Sequence, residues 1–216
     1  MTVVSINVGK PARVPTANGD VLTSIFKTPV TGTRRVDRLN IEGDQQSDLR
    51  VHGGIHKAVY VYPSEHYEYW REQLPDETMP WGMFGENLTT TGLIESDVCI
   101  GDRLRVGSAV LQVTQPRMPC FKLALRFGRP DMVKRFWKSG RSGFYVSVIE
   151  EGVLEPGSTI ERIPTTEPLI TVAELVRLYR DPDPPRERIL TALETSLAGS
   201  WKTEFRERLA LLNNPT

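Results

Sequence analysis

The chain has 216 residues, with 27 basic and 27 acidic side chains and a formal net charge of zero. A neutral balance excludes a general nucleic-acid or polyanion binder as the first reading, because such proteins carry a basic excess. Hydrophobic residues at 39% and charged residues at 25% exclude wholesale disorder and supply enough apolar surface for a core without disulfide or metal staples.

In chain order, the first part reads as short strands punctuated by turns. Residues 3–8 form a strand stopped by Gly9, and residues 21–26 a second. Residues 58–62 are a continuous apolar run ended by Pro63, as in a buried strand. A helix over 64–74 has Ser64 as N-cap, Tyr67, Trp70 and Leu74 on one face, and Pro75 as its stop. Residues 103–106 and 109–114 make a hairpin, with Gly107 supplying positive φ. A short helix covers 131–138, and strands 144–149 and 159–163 flank a turn at Pro156-Gly157. Strands at this density, without regular strand–helix alternation, predict a mainly β, α+β domain built on a closed or nearly closed barrel. Beyond Pro164 the pattern changes to three short helices: 172–179 capped by Thr171, 183–197 ended by Gly199, and 201–212 capped by Ser200. The expected division is a barrel domain at 1–164 and a three-helix subdomain at 167–216. No apolar run approaches the roughly 18 residues of a membrane span, and the N-terminus has no basic stretch leading into an apolar one. A cytoplasmic protein with Cys99 and Cys120 as free thiols is the expectation.

Four segments carry candidate chemistry. Cys120 sits in Gln115-Pro116-Arg117-Met118-Pro119-Cys120-Phe121-Lys122, where two prolines stiffen the chain. Between Arg117 and Arg141 there are eight basic residues and one acid, Asp131. Nearby cations favour the thiolate, the form that attacks electrophiles or binds soft metals. The plain alternative is a small buried hydrophobe, the role assigned to Cys99. In Arg50-Val51-His52-Gly53-Gly54-Ile55-His56-Lys57, the glycines permit positive φ and a nest of N–H groups for an anion, flanked by Arg50 and Lys57. A metal site at His52, His56 and His66 is the competing reading, disfavoured because Gly53-Gly54 opposes the helix that i, i+4 ligands need. Asn87 in Phe84-Gly85-Glu86-Asn87-Leu88 offers donors and an acceptor for a pterin or purine edge, or simply shapes a turn. Glu42, Asp44 and Asp48 can orient the Arg50/His52 loop or bind a cation; their spacing is not that of a calcium loop.

Taken together, Gly43-Asp44, Asp48, His52-Gly53-Gly54, Lys57-Ala58-Val59, Tyr62-Pro63, His66-Tyr67, Trp70, Phe84-Gly85-Glu86-Asn87-Leu88, Gly101-Asp102 and Gln115-Pro116-Arg117-x-Pro119-Cys120-x-Lys122-Leu123 resemble the MOSC family, the molybdenum cofactor sulfurase C-terminal domains. More narrowly they are similar to its stand-alone bacterial branch, which also carries a three-helix tail. The resemblance implies a MOSC-type β-barrel that binds the molybdenum cofactor, a Mo-pyranopterin, with Cys120 as the molybdenum ligand. It implies reduction of small N-hydroxylated compounds such as hydroxylaminopurines, with electrons from an external flavoprotein-type donor.

On that reading Cys120 and His52 are the catalytic residues, with Lys57 as an alternative proton source. The cofactor is held by Cys120, His52, Gly53, Gly54, Lys57, Asn87 and Arg117. Neither a membrane nor a nucleic-acid polymer is an expected partner, and the oligomeric state is not assigned. No dinucleotide fingerprint and no iron–sulfur cysteine set is present, so a reductase needs its electrons from outside. The helical tail is a candidate donor-docking site, or a cap on a sheet edge. Three alternatives stand beside the reductase: a non-catalytic cofactor carrier or sensor, sulfur transfer through a Cys120 persulfide, and a zinc protein using the histidines.

Overall fold

The computed structural model describes residues 1–17, 19–47 and 53–213. The strands of the first half are β1 Thr2–Val8, β2 Ala12–Val14, β3 Val21–Thr23, β4 Thr28–Val30, β5 Arg34–Asp37 and β6 Asn40–Ile41, then β7 Val59–Pro63 after a single 3-10 turn at Ile55–Lys57. Helix α1, Glu65–Gln73, leads to β8 Leu88–Thr91 and the hairpin of β9 Arg103–Val106 and β10 Ala109–Pro116. Helices α2 Phe121–Phe127 and α3 Met132–Ser139 precede β11 Phe144–Glu150, β12 Gly152–Leu154 and β13 Ile160–Ile163. The tail is α4 Val172–Arg180, α5 Arg186–Leu193 and α6 Gly199–Asn213.

Eight strands form one sheet in the order β13-β9-β10-β11-β7-β8-β1-β4. β7 is buried at every position because it lies inside this sheet, antiparallel to β11 and parallel to β8. The sheet curls but does not close as a ladder of strands, so the expected barrel is only partly realised. β4 is short, contains Pro29, and pairs only with Ile6–Val8 of β1; proline cannot donate to a ladder. The free edge at the start of β1 instead meets the residues before β13. Thr2 bridges Thr159, the Val3 N–H donates to the Ser158 carbonyl at 2.9 Å, and the Gly157 N–H donates to the Val3 carbonyl at 2.8 Å.

Other local expectations shift by identifiable causes. The strand expected over 21–26 ends at Thr23, because the Ile25 N–H turns back to the Thr23 hydroxyl (3.2 Å) and the Lys27 N–H to the Ile25 carbonyl (2.9 Å). Strands β11 and β13 are not partners across the Pro156-Gly157 turn: β11 pairs with β10 and β7, and β13 with β9. The segment after Pro119, read as a loop, becomes α2, with Cys120 at its N-cap and Gly128 ending it at φ +61°. In the tail, the Thr171 hydroxyl accepts from the Glu174 N–H at 3.1 Å, as an N-cap should. α5 is shorter than expected, stopping at Leu193, and α6 begins at Gly199 rather than after Ser200.

Two apolar clusters hold the fold. The larger unites the inner faces of the sheet with Val172, Leu175, Ile189, Trp201 and Phe205 of the tail. The smaller is aromatic: Tyr62, Tyr67, Trp70, Phe84 and Phe136 are each at most 1% exposed and lie between β7, α1 and α3. At roughly 1.5–3 kcal/mol for each large side chain buried, these rings are the main force seating α1 and α3 on the sheet. Beneath them Glu86 is fully buried and accepts from the Tyr67 and Thr89 hydroxyls and the Gly82 and Phe84 N–H groups. Burial raises its pKa, and the donors around it work in the opposite direction. No helix among the described residues is long and apolar enough to cross a membrane.

Candidate functional site

Where β10 ends and α2 begins, the chain borders a cavity of about 590 Å³, counting the part open to solvent. Cys120 stands on its wall with Lys57, Arg117 and Lys122, and Asn87 lies beneath. Three segments far apart in sequence, at Lys57, Asn87 and 117–122, thus meet because β7, β8 and β10 are joined in one sheet.

Each cation is delivered by a different local device. Gly54, at φ +92°, turns the chain into the 3-10 turn 55–57 and accepts from the Lys57 N–H at 2.9 Å. That turn is anchored by the Thr114 hydroxyl on the His56 carbonyl (2.7 Å) and by Gln46 Nε2 on the Lys57 carbonyl (3.1 Å). Arg117 follows β10 directly; its guanidinium stacks 5.1 Å from both the Tyr60 and Phe136 rings. Lys122 lies in the first turn of α2, only 8% exposed, with no hydrogen bond or ion pair to a described residue.

The electrostatics follow from this crowding. Partial burial lowers the Lys57 pKa, against an opposing pull from Cys120. Burial also pulls on Arg117, but Tyr60, Tyr145 and Cys120 outweigh it and leave its pKa raised. Arg117 therefore stays a cation, and its Nη1 is buried without a hydrogen-bond partner; the Ser24 hydroxyl on the same wall is likewise unpartnered. An unmet buried polar group costs about 1–3 kcal/mol, more when charged. Two such groups on a cavity wall suit a ligand that brings its own acceptors. Cys120 adds a half-buried, soft sulfur donor.

The remaining sequence candidates divide. Asn87, expected to read a pterin edge, is committed within the protein. Its Oδ1 accepts from the Tyr60 N–H (3.1 Å), and its Nδ2 donates to Asp44 Oδ2 (2.9 Å) and to the Asn7 carbonyl (3.4 Å). Its position lets it hold Asp44, which also accepts from the Gly9 N–H (2.8 Å) and pairs with Lys27. Burial lowers the Lys27 pKa, and Asp44 counters it. Breaking such a buried pair by removing one partner costs about 3–5 kcal/mol, so this ion pair fixes the cavity wall and is not a free ligand-binding cation. Gly53 and Gly54 are half-buried beside the cavity but not on its wall. His52, with Asp48 and Arg50, lies outside the described residues.

The basic segment is also partitioned. Of its eight cations only Arg117 and Lys122 line the cavity. Arg126 covers the Phe26 ring at 5.2 Å, and Arg129 and Arg135 pair with Asp131. His66 is held by Glu95 at 2.7 Å, and Glu95 in turn accepts from the Gly143 N–H at 2.6 Å. Among the described residues no three metal-ligating side chains converge. Sequence reasoning missed Ser24, Tyr60 and Tyr145. Nothing in their local sequence marks them; Tyr60 and Tyr145 reach the cavity as partners across β7 and β11, and Ser24 from the turn after β3.

The MOSC domain model matches residues 48–161. The uncharacterized protein YflK of Bacillus subtilis (strain 168) is 43% identical over 210 residues, covering 96% of this chain and 94% of that protein. The crystal structure of YiiM from Geobacillus stearothermophilus superposes with a TM-score of 0.81 at 36% identity, covering 96% of this chain and 98% of that one. A protein of Gibberella moniliformis (strain M3125 / FGSC 7600) named Reductase is 35% identical over 165 residues, which is 75% of this chain and 29% of that protein. With the family model spanning the strands that build the cavity and full-length similarity to YiiM, the chain belongs to the MOSC domain family.

Proposed function

We propose that this chain is a molybdenum-cofactor-dependent reductase of small N-hydroxylated compounds, supplied with electrons by an external flavoprotein. The observation that carries the reading is Cys120, a half-buried thiol on the wall of a cavity it shares with Arg117, Lys57 and Lys122. MOSC domains as a family are associated with the molybdenum cofactor, and the name Reductase belongs to one relative.

The residues present suit that cofactor. A thiolate is a soft ligand for molybdenum. The unpartnered Arg117 Nη1 and the Lys57 and Lys122 ammonium groups suit a terminal phosphate, for which charge-assisted hydrogen bonds are strongest. When bound, the cofactor supplies the two-electron chemistry that removes an oxygen atom from an N–O bond. The chain's part is to bind, orient and move protons. Arg117, locked between Tyr60 and Phe136, offers a pre-set donor geometry. Lys57, whose pKa is lowered by partial burial, is suited to hand a proton to the departing hydroxyl, with His52 the other candidate from the same loop. Cys120 acts as a ligand and not as a nucleophile.

The test is to load purified protein with molybdenum cofactor and measure bound molybdenum per chain, then turnover of a hydroxylaminopurine, for wild type, Cys120→Ala and Cys99→Ala. Near-stoichiometric metal and activity are expected in wild type and Cys99→Ala, and loss of both in folded Cys120→Ala. Equal loading of Cys120→Ala would refute Cys120 as the ligand. Loading without turnover of any N-hydroxylated compound would favour a carrier, and a mass gain of one sulfur on Cys120 without molybdenum would favour persulfide transfer.

A further inference from the structure

A second concave surface lies between α1 and α3, away from the cavity. Tyr69 and Trp70 form its floor, and Lys134, Lys138 and Arg141 stand on its rim. Its charge is one-sided. Asp131 is the only carboxylate in its lining, and it is already paired with Arg135 (2.5 Å) and Arg129 (3.4 Å). Lys134, Lys138 and Arg141 have no carboxylate within ion-pair distance among the described residues. Arg180 of α4 extends the cationic border, its guanidinium 4.6 Å from the Trp137 ring. The surface of α6 differs: it mixes Lys202, Arg206 and Arg208 with Glu204 and Glu207, and Arg208 and Glu204 pair at 3.5 Å.

The groove is joined to the cavity by stacked side chains. Arg141 covers Tyr69 at 3.7 Å, and the Tyr69 and Trp70 rings are 5.1 Å apart. Trp70 and Phe136 lie 6.0 Å apart and parallel to within 7°. Arg117 sits 5.1 Å from Phe136 on one side and lines the cavity with Cys120 on the other. The basic groove and the thiol cavity are thus opposite faces of one aromatic layer.

We infer that this groove is the docking surface for the electron donor, and that the donor is an acidic flavodoxin-type protein whose carboxylates surround its flavin. The inference rests on the reductase reading above. That reaction, R–NHOH + 2 e⁻ + 2 H⁺ → R–NH₂ + H₂O, takes both electrons from reduced flavin on the donor, which is oxidised, and both protons from solvent. The chain has two cysteines, too few for an iron–sulfur cluster of its own. Encounters between electron-transfer proteins use small interfaces and complementary charge to steer approach. A chain with no net charge is not drawn to polyanions as a whole, so a local cationic groove fits a partner with an equally local acidic patch better than it fits a membrane or a nucleic acid.

The experiment measures binding of immobilised wild-type protein to an acidic flavodoxin and an acidic ferredoxin across a salt series. It is repeated with Lys134→Glu/Lys138→Glu, Lys134→Arg/Lys138→Arg and the tail control Lys202→Glu/Arg206→Glu, with folding checked by circular dichroism. Wild type, the arginine variant and the tail variant should bind flavodoxin alike, more weakly as salt rises. The groove reversal should bind about tenfold more weakly. Turnover of a hydroxylaminopurine by cofactor-loaded protein with reduced methyl viologen, which needs no docking, should be the same in all four.

Undiminished binding by the groove reversal, loss confined to the tail variant, or no salt-dependent binding of flavodoxin, whether or not ferredoxin binds, would overturn the inference. So would groove-dependent capture of phosphatidylglycerol vesicles or duplex DNA in place of the carriers. If viologen drives no turnover in wild type while groove-dependent flavodoxin binding persists, the reductase reading fails and electron donation fails with it. If viologen drives turnover and the groove is indifferent, the docking inference alone fails.

Discussion

The two cysteines differ in burial and in their surroundings. Cys120 is half-buried on the cavity wall, close enough to Lys57 and Arg117 to affect the pKa of both. Cys99 is 7% exposed, its residue bridges Thr171, and its N–H donates to Asp102. Burial pushes the Cys99 thiol up, so the reactive thiolate is scarce as well as shielded. Iodoacetamide at pH 8 is therefore expected to modify Cys120 at least about tenfold faster than Cys99. Peptide mass spectrometry checks this, and comparable labelling of Cys99 would refute its assignment to the core. Asn87 teaches a different lesson: a residue on the cavity lining also cross-links the wall, through its bonds to Tyr60 and Asp44.

Among the elements, those set by local chemistry were readable. The hairpin of β9 and β10 turns at Gly107, where φ is +57° and an added Cβ would lie 2.1 Å from the Val153 carbonyl. Strain in φ and the clash act together, so Gly107→Ala is expected to destabilise the protein by more than about 1 kcal/mol. Urea denaturation reads this directly, and a change within error would show that the β12 segment yields cheaply. The α4 cap at Thr171 was equally legible, since the hydroxyl needs only its own helix. The α2 helix was not, although Leu123 and Phe127 share a face and Gly128 ends it; two prolines just before it dominate the local pattern. The strand expected at 21–26 failed because tertiary contacts take its second half: Lys27 turns in to pair with Asp44.

At the scale of the molecule, the tail shares one apolar core with the sheet. Leu175 and Phe205 are fully buried in the same cluster as Val113 and Ile100. Leu175→Ala should accordingly cost about 2–5 kcal/mol and shift a single cooperative transition, seen alike by near-UV and far-UV circular dichroism. Separate melting of helix and sheet signals would contradict the shared core.

The sequence by itself determined the strand-rich class, most helix boundaries, the stiff segment holding Cys120, and the proximity of Lys57 to a turn. These depend on side-chain periodicity, caps, prolines and glycines acting within a few residues. Only the tertiary structure decided which of the eight cations between Arg117 and Arg141 face the thiol and which form an outer groove. It alone decided that Asn87 is spent on Asp44, 43 residues away, and that the sheet meets itself through Thr2 and Thr159 without closing. Those outcomes rest on pairings between distant segments, where one strand's register selects which side chains share a cavity.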